Sequence, residues 1–318
     1  MTEATMRAQM GTTVQDLMDA DPRLAVVLAD ISMSLFDRAA AAHPQRVIKA
    51  GIMEQAAVSL AAGLALEGFI PMLHSIAPFV VERPFEQIKD DFCYQGLGGN
   101  FVGIGASYDY GTDGMTHYGM GDVPILRTLP GMEIVVPGTP GEFDALFRAA
   151  YADGAPTYFR LAEQQNAAAQ PVRFGRLEVV RRGSRAVVVA VGPMLDRVLE
   201  AVADLHVTVL YCTTVAPFDA ATLRAEALGG AAGLGGAAGL GASVILVEPY
   251  YEGTLVPEVV AALRPQPVRV EAIGVPHRIL SRYGTTREHD AELGLDAAGI
   301  RARIEAYLGV SRGQGPRD

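Results

Sequence analysis

The chain has 318 residues, half of them hydrophobic and 19% charged, with a net charge of −10. Such a composition builds packed cores, the length suits two domains of roughly 150 residues, and the acidity argues against nucleic acid or an anionic membrane as the main partner. No uninterrupted apolar run of about 18 residues occurs, MTEATMRAQM at the start has no signal-like apolar core, and the six histidines lack metal-ligand spacing. A cytoplasmic protein with no zinc site is therefore expected, and Cys93 and Cys212 read as buried free thiols.

The predicted elements alternate between strand and helix. Residues 12–20 read as a helix and 24–28 as a buried strand ending near Asp30. Residues 46–50 form a short apolar strand, Gly51 a turn, and 52–66 a helix rich in Ala, Val and Leu that stops at Gly68. Strand 69–74, helix 83–92 (with Phe85, Ile88 and Phe92 on one face) and strand 101–105 follow. Residues 107–119 make a long polar loop. A short helix at 125–129, a strand at 133–136, a helix opened by Thr139-Pro140 over 142–151 and a strand at 157–161 close the first half. Residues 162–171, AEQQNAAAQP, have no apolar periodicity.

The second half repeats the theme, with strands at 185–191, 207–211 and 244–247, a helix running to 203 and a closing helix at 297–308. LGGAAGLGGAAGLG, residues 228–241, is a low-complexity repeat expected to be a surface loop. It has no following Lys-Ser/Thr, so it is a poor phosphate cradle. The tail from 311 is expected to fray. Strands alternating with helices predict an α/β protein with mostly parallel sheets covered on both faces. The expected division is a doubly wound domain at 1–165, a linker at 166–180 and a second doubly wound domain at 181–318.

Glu54 breaks the burial pattern of its helix. It sits in the first turn among Ile52, Met53, Ala56 and Ala57. One reading is a surface carboxylate favoured by the helix N-terminus. The other is a carboxylate in an apolar pocket with a raised pKa, poised to share a proton with a ligand. His117, beside Asp113-Gly114 in a Gly-rich loop after a strand, lies where α/β active sites form. A solvated loop histidine is the alternative. Asp30 is either a turn carboxylate or a site group, and Phe79 either a core residue or a ring for stacking on a flat heterocycle.

The stretch GIMEQAAVSLAAGLALEG, residues 51–68, resembles the G-I-x-E-Q…A-G-x-A-x-x-G signature of the pyrimidine-binding domain in transketolase-type thiamine diphosphate enzymes. GTDGMTHYGMGDVPILRTLPG, residues 111–131, is similar to that family's G-E-D-G-x-T-H-Q…L-R-x-x-P-N run, departing at Thr112, Met115 and Tyr118. The resemblance covers roughly residues 5–165; the second half matches the family's C-terminal domain in outline. It implies that Glu54 contacts the cofactor's aminopyrimidine, protonating the ring nitrogen opposite the amino group so that the imino tautomer can act as a base. Phe79 would stack on that ring, with Asp30 close by. His117 and Asp113 would contact substrate hydroxyls and move protons. Arg160, Arg7 and Ser34 would meet a substrate phosphate, whereas Gly105 stands where transketolases have a further phosphate-contacting His.

The family holds the cofactor's diphosphate and Mg²⁺ with a G-D-G…N motif in a separate domain, and no GDG occurs here. The chain also starts where that domain would have ended. The resemblance therefore implies the C-terminal subunit of a split transketolase, active only with a GDG…N partner subunit in an α2β2 assembly. It would transfer a two-carbon ketol unit from a ketose, sugar or sugar-phosphate, to an aldehyde in carbohydrate metabolism. The alternatives are a β subunit of a 2-oxo acid dehydrogenase, a pyruvate-decarboxylating synthase, and a non-catalytic structural subunit.

Overall fold

A computed structural model describes residues 5–229 and 241–309. Residues 230–240, nearly all of the Gly/Ala repeat, and the tail from 310 lie outside the described residues. In the first half the strands are β1 (Leu24–Leu28), β2 (Val47–Lys49), β3 (Ile70–Ile76), β4 (Gly99–Ile104), β5 (Glu133–Val135) and β6 (Pro156–Arg160). The second half contributes β7 (Leu177–Arg181), β8 (Val187–Val191), β9 (Thr208–Cys212), β10 (Thr214–Ala216), β11 (Ala242–Tyr251) and β12 (Val268–Val275).

These strands make two sheets, ordered β10-β5-β6-β4-β3-β1-β2 and β12-β11-β8-β9-β7. Every pairing is parallel except β10 on β5 and β7 on β9. The α/β class with mostly parallel sheets is thus as expected. β1, LAVVL, and β8, VVVAV, are buried at every position, as strands covered on both faces must be. One apolar cluster runs from Val27, Val58 and Leu73 to Val189, Leu210 and Leu246, so the two sheets share a core. Further clusters lie under the helices Met6–Ala20 and Pro140–Ala150 on one side and Leu195–Ala201 and Ala297–Leu308 on the other.

The segment that positions the site begins at Gly51, whose φ of +80° suits a residue without Cβ. The helix Glu54–Leu66 follows, with Met53 at its cap and Ala57, Val58, Ala61 and Ala62 buried. Residues 83–92 divide into a short turn, Phe85–Gln87, and a π-helical stretch, Ile88–Tyr94. The 125–129 helix forms earlier, as Asp122–Leu126. Three strands escaped the sequence reading: β7, β10 and β12. Their charged or very short sequences, LEVVR, TVA and VRVEAIGV, hide a strand signal. Five α-helices were missed as well: Asp37–Ala42, Ala77–Val81, Ala220–Leu228, Val256–Leu263 and Thr286–Leu293.

Both cysteines are unpaired, Cys212 buried and Cys93 only half-buried. Burial pushes the Cys93 thiol up to about 11. No helix among the described residues is long and apolar enough to cross a membrane.

Candidate active site

Four neighbouring parallel strands, β4, β3, β1 and β2, each release the chain at the carboxyl edge into a segment carrying a candidate residue. Asp30 follows β1, Glu54 follows β2, Phe79 follows β3, and the loop bearing Asp113 and His117 follows β4. Ligands of open α/β sheets bind at such an edge.

Glu54 is the first residue of its helix and only 5% exposed. Its surroundings are not wholly apolar, because Arg83 Nη1 donates to Oε1 at 2.7 Å. The same guanidinium lies over the Phe79 ring, with Cζ 3.6 Å from the centroid. Phe79 in turn meets the His117 ring edge-on at 5.1 Å. Glu54, Arg83, Phe79 and His117 therefore form one continuous group. Arg83 is the member that sequence reading missed; it was read only as the start of a helix over 83–92. Ile52 and Met53, beside Glu54, are 67% and 58% exposed.

His117 is half-buried, and its Nδ1 lies 2.9 Å from the Thr116 hydroxyl. Asp113 is exposed, four residues away on the same loop. The turn Gly114–Thr116 between them is closed by the His117 N–H donating to the Gly114 carbonyl at 2.9 Å. Asp30 is exposed at the end of β1.

The expected phosphate contacts scatter. Arg160 has no exposed side-chain surface. Its Nε donates to Asp122 Oδ2 at 2.8 Å, and Nη2 donates to the Gly119 carbonyl at 2.8 Å and to the Ser107 hydroxyl at 3.0 Å. Arg160, expected to meet a substrate phosphate, is thus enclosed and paired with Asp122. The pairing ties the β6 end to the loop through Nε and Nη2, while Nη1 is buried with no hydrogen-bond partner among the described residues. Ser34 is exposed on the turn Met33–Phe36 and bonds to none of the other candidates. Its neighbour Ser32 takes the inward position at φ +61°.

Arg7 does face a cavity of about 380 Å³, shared with Gly105, Tyr110, Leu161 and Glu163. Behind it runs a buried relay. Burial pulls His74 down to about 4, against its bond to Val102. The neutral ring donates from Nδ1 to the Val102 carbonyl and accepts the Ser32 hydroxyl at Nε2, both at 2.8 Å. Ser32 Oγ then accepts Arg7 Nε–H at 3.0 Å. Neither Ser32 nor His74 carries a motif that sequence reading could have found.

The fold is α/β, with a buried glutamate, an aromatic ring and a loop histidine brought together at one sheet edge. Residues 2–167 match the transketolase pyrimidine-binding domain family, and the chain belongs to that thiamine diphosphate-dependent family. An uncharacterised 33.6 kDa protein in the fasciation locus of Rhodococcoides fascians is 41% identical over 96% of this chain and 95% of its own length. The 1-deoxy-D-xylulose-5-phosphate synthase of Magnetococcus marinus is 29% identical over 92% of this chain and 47% of its own. The chain thus spans about half the length of that synthase. Among solved structures, a split-gene transketolase described as an inactive β4 tetramer superposes with a TM-score of 0.80 at 26% identity, over 98% of this chain and 100% of that one. The fold is also that of a Campylobacter jejuni transketolase, at TM-score 0.77 and 18% identity over 96% of this chain and 47% of the other.

Proposed function

We propose that this chain is the pyrimidine-side subunit of a two-chain transketolase, moving a two-carbon ketol unit from a ketose to an aldehyde. The observation that carries the reading is the contiguous Glu54–Arg83–Phe79–His117 group at the sheet edge.

The residues fit an aminopyrimidine. A buried carboxylate beside an aromatic face suits a flat heterocycle with a basic ring nitrogen, and Arg83, itself planar and a nitrogen donor, already sits on both groups. Thiamine diphosphate supplies, when bound, an electron sink for breaking the bond beside a carbonyl. Glu54 would hold a proton at the ring nitrogen, Phe79 would give the ring a face, and Asp30 would border it. His117 and Asp113 would orient substrate hydroxyls and exchange protons with them. Arg7 would reach the far end of the substrate.

Among the described residues no cluster of His, Cys, Asp or Glu could hold a metal ion. We assign Mg²⁺ and the diphosphate to a partner subunit carrying GDG…N, in an α2β2 assembly about a two-fold axis. The solved split-gene chain, described as inactive in its β4 form, supports that dependence. So does the exposed apolar rim of Ile52, Met53, Leu60 and Leu66, which a partner would cover. Unpaired thiols are consistent with a cytoplasmic setting.

The synthase relatives favour a second reading, in which the assembled pair decarboxylates pyruvate. Donor competition separates the two. Ketose-dependent transfer without CO₂ release from pyruvate supports ketol transfer; the reverse supports the synthase.

A further inference from the structure

The cavity at Arg7 is joined to the site through Tyr110, whose ring lines it and also stands 6.2 Å from the His117 ring. It is large enough, at about 380 Å³, for several carbons of a substrate beyond the reacting centre. Its charge is balanced. Among the described residues lining it, Arg7 is the one cation and Glu163 the one carboxylate. A second carboxylate stands behind Glu163, since Asp109 Oδ2 accepts the Glu163 N–H at 2.9 Å. Desolvation, with the Glu163 charge adding, pushes the Asp109 carboxyl up to about 7 against that bond.

Among the described residues lining the cavity there is no second cation. Arg160 is not among the lining residues; it is buried, with Nε on Asp122 and Nη2 on Gly119 and Ser107. The position of Gly105 admits no side chain: its φ is +73°, and a Cβ there would stand 2.2 Å from the Tyr110 ring. A dianion in this cavity would be attracted by Arg7 and repelled by Glu163, both of which line it. A hydroxyl both donates and accepts, so a guanidinium, a carboxylate and a phenol together serve it well.

We infer that this cavity receives the uncharged, hydroxyl-bearing end of the substrate, and that Glu163 makes the chain select against a terminal phosphate. The inference rests on the transketolase reading for bringing the substrate there. It concerns binding, so it can be tested apart from turnover.

The test uses ligand-detected NMR on the full chain with D-arabitol and D-arabitol 5-phosphate, which cannot undergo ketol transfer. Wild-type chain should bind arabitol at least about tenfold more tightly than its phosphate, and inorganic phosphate should not displace arabitol. Glu163→Gln should narrow that ratio about tenfold, chiefly by tightening the phosphate ester, while Arg7→Gln should weaken both ligands. Tighter binding of the phosphate ester by wild-type chain, an unchanged ratio in Glu163→Gln, or no binding of either compound would overturn the inference. An arabitol preference together with absent ketol transfer in the assembled pair would refute the reaction assigned above and uphold the pocket's selectivity. Ketol transfer preferring phosphorylated aldehydes would refute the selectivity and uphold the reaction.

Discussion

Glu54→Gln keeps the side chain's shape and an acceptor for Arg83, and removes the acid. Folding should survive. In the assembled enzyme, exchange of the cofactor's C2 proton should slow by about 10²–10⁴-fold, the scale of lost acid–base assistance. Wild-type exchange in the mutant would take Glu54 out of the mechanism. Arg160 invites the opposite expectation. Truncating it to Ala leaves the buried Asp122 carboxylate without its guanidinium, so urea unfolding should show a loss of about 3–5 kcal/mol. A stable Arg160→Ala variant changed only in KM for phosphorylated substrates would instead support the phosphate role. His74 predicts a pH effect. It is neutral in the fold, with a pKa of about 4 against 6.5, so between those values the unfolded chain binds more protons. Stability should rise as pH increases through that window and fall as it is acidified, by up to about 3 kcal/mol. Urea midpoints from pH 4 to 6.5 in wild type and His74→Gln check this; equal slopes would exclude His74 as the source.

The loop Ser107–Gly119 is the element on which the site turns, and the second half of the chain holds it. Tyr118 donates its hydroxyl toward the carbonyls of Gly111 and Arg282, at 3.2 and 3.1 Å, and lies 3.1 Å from His289 Nε2. The Gly284 N–H donates to the Gly111 carbonyl at 3.1 Å, and a Cβ on Gly111 would stand 2.0 Å from the Gly284 carbonyl oxygen. His289 comes from the helix Thr286–Leu293. Tyr118→Phe should cost about 1 kcal/mol and speed amide exchange across residues 111–119, with core strands unaffected. Unchanged exchange would show that the loop is held elsewhere. This clamp was illegible in the sequence, where Tyr118 stood out only as a departure from the family's Gln. The helix carrying His289 went unread because TREHDAEL is polar nearly throughout, whereas Leu24–Leu28 and Val187–Val191 are apolar at every position and were read with little or no error. Glu54, Phe79 and His117 were legible because motif spacing carries them. Arg83 and Ser32 were not, since their roles come from neighbours distant in sequence.

At the scale of the molecule, further buried ties join the halves. Tyr211 of β9 donates to Glu142 Oε2 at 2.7 Å, and the same carboxylate accepts the N–H groups of Gly138 and Gln170. Asn166, in the stretch expected to be linker, is buried and donates to the Gly192 carbonyl at 3.1 Å. β10, from the second half, completes the first sheet. A division into halves was visible as alternating strands and helices, but such long-range pairings leave no local trace. The apolar rim beside Glu54 remains exposed, as the proposed sharing of the cofactor site with a partner requires. The most direct test is calorimetric titration of thiamine diphosphate with Mg²⁺ into this chain alone, and then into its mixture with a GDG…N partner, with ketol transfer assayed in both. Binding and transfer should appear in the mixture only. Micromolar, Mg²⁺-dependent binding and ketol transfer by this chain alone would contradict the shared site.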